Sequence, residues 1–98
     1  MVTPVPDPRR LRAVCERYGV ARLDVFGSVA RGTDIADSDV DLLYTLEPGA
    51  LLGWEIEDLE AELAHIFGRR VDLVSRGALN NWFRDDVLRE AEPLYAAA

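Results

Sequence analysis

Gly27-Ser28, ten further residues and then Asp39-Val40-Asp41 combine a turn-forming pair with two carboxylates at close spacing. Glycine lets a backbone approach a ligand closely, and a turn that opens a helix offers N–H groups to an anion. Ser28 adds a hydroxyl at the same point, and Arg31 lies within reach. In a strand, residues two apart project from one face about 6–7 Å apart along the chain. Asp39 and Asp41 therefore point together, with Val40 and Leu42 facing a core. Asp72 makes a third carboxylate if its segment lies alongside on the same face. Such a cluster is costly unless cations neutralise it, because close carboxylates raise one another's pKa. Two divalent cations about 3.5–4 Å apart would relieve the repulsion and stabilise an in-line displacement at phosphorus. Mg²⁺ is the natural choice, with Mn²⁺ as a substitute, since it binds through one or two carboxylates plus substrate phosphates. A triphosphate at Gly27-Ser28 and metals on Asp39 and Asp41 would be two halves of one nucleotide site.

Other chemistries are excluded by composition. All eleven basic residues are arginine, and there is no lysine. A P-loop needs its lysine on the phosphates, and Schiff-base catalysis needs a lysine amine. A net charge of −7 argues against a nucleic-acid-binding surface, which relies on clustered cations. It suits a basic protein partner or a metal-chelated nucleotide. The acids at Asp37, Asp39 and Asp41 resemble the start of an EF-hand loop, but that loop needs Gly and Glu where Leu42 and Pro48 stand.

With 98 residues, about half of them hydrophobic, the chain is expected to form a single globular domain over residues 1–98. No apolar run reaches the length of a membrane span, and "MVTPVPDPRR" lacks the basic and hydrophobic regions of a signal peptide. Cys15 has no second cysteine to pair with. These features point to a cytoplasmic protein with no membrane association.

The elements that must position the site follow from the apolar pattern. Asp7-Pro8 reads as the N-cap and first residue of a helix whose apolar stripe is Leu11, Val14, Cys15 and Tyr18, ended by Gly19. "RLDVFG" alternates as a strand, "VARG" has room for about one helical turn, and "DVDLLYTL" is a second strand closed by Pro48-Gly49. Ile56, Leu59, Leu63, Ile66 and Phe67 line one face of an amphipathic helix that Gly68 stops. "RRVDLVS" is a third strand, and residues 81–91 form a last helix ended by Pro93. The long crossover helix favours a parallel arrangement of the second and third strands.

Gly27-Ser28, ten residues and Asp39-Val40-Asp41 match the G-S-x10-D-x-D signature of minimal nucleotidyltransferases of the DNA polymerase beta superfamily. "FGSVARG" with "SDVDLL", and the ending "EAEPLY", look like the antitoxin members of HEPN–MNT toxin–antitoxin pairs. The resemblance runs from about Leu23 to Ser75. It implies an α/β (α+β) fold with a polymerase-beta-like core: a small mixed sheet, helices packed on one face, and the nucleotide site on the other. It also implies transfer of AMP from ATP to a tyrosine of a HEPN ribonuclease toxin, which silences the toxin. On that resemblance Ser28 contacts triphosphate beside Gly27 and Arg31, and Asp39 and Asp41 hold metal. Asp72 would be the third carboxylate, serving the attacking hydroxyl.

Plainer readings stand beside these. The aspartates of "DIADSDVD" could be a solvated loop, Asp72 the solvent face of its strand, and Arg31 an ion-pair partner of Asp34. His65 is expected to be a partly buried structural residue, Cys15 inert packing, and Trp54, Trp82 and Phe83 core or edge packing, or for Trp82 or Phe83 part of a base pocket. Glu55, Glu57, Asp58, Glu60 and Glu62 crowd the polar side of the long helix, as a solvated face or as a dock for a basic partner. At the level of function, the alternatives are an antitoxin that neutralises by binding alone, and a transferase acting on a small molecule such as an aminoglycoside.

Overall fold

A computed structural model describes residues 7–27, 30, 32, 39–78 and 81–97, with the backbone alone for 81–84. Helix α1 spans Pro8–Tyr18, strand β1 Val20–Phe26, β2 Val40–Leu46, helix α2 Glu55–Phe67, β3 Val71–Ser75, α3 Asn81–Glu90 and β4 Glu92–Ala96. A single 3₁₀ turn, Arg76–Ala78, follows β3. The Asp7 side chain accepts from the Arg9 N–H at 2.9 Å, capping α1 as its sequence predicts. Gly19 and Gly68 end α1 and α2.

The four strands form one mixed sheet in the order β3-β2-β1-β4. β2 and β3 are parallel, as the α2 crossover requires, while β1 runs antiparallel to both β2 and β4. The core lies on one face, where Leu23, Val25, Val40, Leu42 and Val71 meet Leu11, Val14 and Cys15 of α1 and Leu59, Leu63 and Phe67 of α2. Glu62 fastens the two helices together. It accepts from the Tyr18 hydroxyl at 2.5 Å and pairs with Arg17 at 2.6 Å. That hydroxyl holds the Glu62 carboxyl below its usual range, and the carboxylate raises Tyr18 in turn.

Three expectations change. The chain does not finish with a helix: β4 adds a fourth strand that contains Pro93. Proline is tolerated because β4 lies at the edge of the sheet and, among the described residues, pairs with β1 alone. Trp54 is exposed rather than packed, since it precedes α2 on a turn outside the core. His65 is likewise exposed, because it lies off the stripe formed by Leu59, Leu63 and Phe67. Of the remaining expectations, those for Ser28, Arg31, Asp34 and Asp37 and for the side chains of Trp82 and Phe83 fall outside the described residues. No helix among the described residues is long and apolar enough to cross a membrane.

Candidate active site

The face of the sheet opposite α1 and α2 carries Asp41 and Asp72, and the strand register decides how they meet. Asp41 pairs with Asp72 across the parallel β2–β3 ladder, and with Phe26 across the antiparallel β1–β2 ladder. Direct partners in a ladder share a face, and adjacent strands lie about 4.7–4.9 Å apart. The two carboxylates are therefore neighbours because the apolar pairs Val40–Val71 and Leu42–Leu73 hold this register. Asp41 is half-buried and Asp72 is exposed.

Asp39 stands just before β2, two residues from Asp41 on the same alternation. Its counterpart across the ladder is Arg70, whose carbonyl accepts from the Val40 N–H at 2.9 Å. The Arg70 Nε also pairs with Asp39 Oδ1 at 3.2 Å. Asp39, Arg70 and Asp72 line a groove of about 340 Å³, together with Glu57 and Glu60 of α2. The acids of the long helix are thus not all remote from the candidate site.

Gly27 follows β1 directly, with a φ of 75°. A Cβ at this position would overlap Asp41 Oδ2. Only glycine allows the turn to lie against that carboxylate, which binds the two halves of the sequence motif into one place. The Gly27 N–H donates to Glu90 Oε2 at 3.2 Å, tying the turn to the end of α3. Among the described residues no three Asp, Glu, Cys or His side chains gather closely enough to hold a metal ion. The donor set nevertheless suits a hard cation: Asp39, Asp41 and Asp72 place carboxylate oxygens at the same end of two adjacent strands.

Sequence reasoning missed three charged residues on this side. Arg70 had a legible signal, since R-x-D at 70–72 lies in register with D-x-D at 39–41 once the strands are parallel. Asp24 is only 1% exposed and carries no such signal; its two oxygens share the Arg22 Nε–H, each at 3.0 Å. Nothing local marks Glu90 either, since its partner is 63 residues away. A larger groove, about 470 Å³, lies between α1 and α2 beside Arg10, Arg17 and His65. Among the described residues its lining has neither a glycine turn nor aspartates, so it is not the candidate active site.

The family model for the nucleotidyltransferase domain matches residues 9–95. The chain belongs to this family. The protein adenylyltransferase MntA of Thermococcus cleftensis is 45% identical over 75 residues, covering 76% of this chain and 75% of that protein. A solved structure assigned to the minimal nucleotidyltransferases is 44% identical, with a TM-score of 0.70 over 90% of this chain and 96% of its own. A tri-AMPylated HEPN toxin of Shewanella oneidensis in complex with MNT antitoxin supplies a third match. It is 16% identical, with a TM-score of 0.64 over 92% of this chain and 70% of its own, a likeness of fold alone. The family resemblance and the mixed-sheet fold expected from the motif are both borne out.

Proposed function

We propose that this nucleotidyltransferase transfers AMP from ATP to a tyrosine of a cognate HEPN ribonuclease toxin and thereby serves as its antitoxin. The observation that carries the proposal is the meeting of Gly27, Asp41 and Asp72 at one end of the sheet. Similarity to a protein adenylyltransferase supports the choice of reaction, and the toxin–antitoxin neighbour supports the choice of partner. The turn at Gly27-Ser28, with Arg31, would hold the triphosphate. Asp39 and Asp41 would hold Mg²⁺ or Mn²⁺, with Asp72 as the third ligand. When bound, the metal supplies charge neutralisation along the triphosphate and the Lewis acidity that favours an oxygen nucleophile.

The chain's own residues then orient and deprotonate. A tyrosine hydroxyl has a pKa near 10 and is a poor nucleophile at neutral pH. An Asp72 carboxylate oxygen would take the phenol proton as the phenolate oxygen bonds to the α-phosphorus and pyrophosphate departs. Asp72 is exposed and so open to a macromolecular acceptor. A reaction that uses ATP and a ribonuclease partner would take place in the cytoplasm. The test is the intact mass of a cognate HEPN toxin after incubation with this chain, ATP and Mg²⁺. A gain of one or more AMP units is expected, absent when Asp39→Asn and Asp41→Asn are combined. An unchanged mass with the wild-type chain would overturn the proposal.

A further inference from the structure

We infer that Arg70 competes with the divalent cation for Asp39, so that the Asp39–Arg70 ion pair and cation binding exclude one another. The inference rests on Asp39 being a cation ligand in the reading above, and goes beyond it by giving Arg70 control of cation affinity. The backbone places the two side chains opposite each other. Asp39 immediately precedes β2, Arg70 immediately precedes β3, and the Val40 N–H to Arg70 carbonyl bond of 2.9 Å ties the starts of both strands together. Across that bond the Arg70 Nε stands 3.2 Å from Asp39 Oδ1.

A guanidinium at this distance occupies one of the oxygen atoms that a cation would need. It also places a positive charge where a second one would be repelled. Both effects oppose the cation until the pair opens. Opening is easy, because the Arg70 side chain is 84% exposed and Asp39 49% exposed. Ion pairs this exposed are weak and give way to stronger partners. Arg70 can swing into solvent without disturbing the core, since its neighbour Val71 supplies the packing. The arrangement keeps Asp39 neutralised in the absence of cation. It also lowers the affinity of Asp39 for a divalent cation.

The test uses the full chain with Mg²⁺ or Mn²⁺ and no nucleotide. The Arg70 side-chain ¹⁵Nε resonance, assigned by its loss in Arg70→Gln, is followed through a Mg²⁺ titration beside the backbone amides of Asp41 and Asp72. It should move toward the position of a solvated arginine in step with those amides. In Asp39→Asn it should start at that position and stay there. An Arg70 resonance that holds still while the Asp41 and Asp72 amides report Mg²⁺ overturns the inference and leaves the site reading intact. Amides that do not respond at all overturn the cation site itself. In parallel, Arg70→Gln should tighten Mn²⁺ binding by about 2–5-fold, the scale of an exposed ion pair. The gain should vanish in the Asp39→Asn background. Equal tightening in both backgrounds would mean a diffuse charge effect and would overturn direct competition.

Discussion

Asp41 and Asp72 are direct partners across the parallel β2–β3 ladder, so two carboxylates separated by thirty residues of chain share one sheet face. Their meeting is a by-product of core packing. A slip of one residue would turn Val40 and Leu42 away from α1 and α2, and such a slip is strongly opposed wherever one face is buried. The candidate site is thereby fastened to the most strongly specified part of the fold.

Replacement of Gly27 should show how tightly the turn is bound to Asp41. Gly27→Ala places a side chain at a φ of 75° and drives its Cβ into Asp41 Oδ2. A non-glycine residue in such a conformation costs about 1–3 kcal/mol before any overlap is counted. Gly49→Ala is the control, because Gly49 has a φ of 83° and, among the described residues, nothing within 4 Å of its added Cβ. Urea denaturation should find Gly27→Ala the less stable of the two, and AMP transfer should fall only in that variant. Equal stabilities would mean that Asp41 moves aside freely.

The sequence was most readable where period and spacing had a local cause. The caps of α1, the stripe of α2 and the parallel pairing of β2 with β3 all follow from nearby residues or from the crossover length. What escaped depends on contacts distant in sequence. Leu43 and Asp24 are cross-strand partners on the site face, and both are buried although alternation marks that face as polar. Strand β4 was hidden by Pro93, which argues against a central strand but not against an edge. Glu90 reaches Gly27 only because α3 returns to the end of β1.

The buried thiol of Cys15 makes an alkaline prediction. Burial, aided by the Glu16 charge, pushes its pKa up to about 12 from an ordinary 9.0. The folded protein therefore keeps a proton that the unfolded chain gives up, and stability falls wherever the folded state binds more protons. The contribution is intact below pH 9 and is lost as pH rises toward 12. Tyr18 and Tyr95 are raised as well, so the wild type must be compared with Cys15→Ala. Denaturation at pH 8 and pH 11 should show the wild type losing more stability than the variant. Parallel losses would exclude the thiol as the cause.

Glu57 and Glu60 can be separated from the rest of the acidic face of α2 because they line the groove beside Asp39 and Asp72. If a basic partner docks there, Glu57→Arg with Glu60→Arg should slow association about tenfold at low salt, within the range of electrostatic steering. The salt dependence of the rate should flatten too. Stopped-flow binding to the partner at two ionic strengths measures both quantities. Unchanged rates would leave these residues as a solvated helix face.

The decisive variant for the chemical step is Asp72→Asn. Asp72 is exposed, and its strand is held by Val71 and Leu73 on the opposite face, so the amide should not disturb folding. Relief of repulsion with its ladder partner Asp41 should leave the metal-free protein as stable as before or slightly more so. Asp39 and Asp41 would still hold the metal that accompanies the triphosphate, so Mg-ATP affinity should stay near that of the wild type. Transfer should fall by about 10²-fold or more, the scale set by loss of a positioned base. Thermal melting, Mg-ATP calorimetry and AMP transfer are to be measured on one preparation, so that a folding defect cannot pass for a chemical one. Lost affinity with proportionately lost transfer would make Asp72 a metal ligand first and a base second. Near-normal transfer would remove it from the reaction and leave its place beside Asp41 without a catalytic purpose.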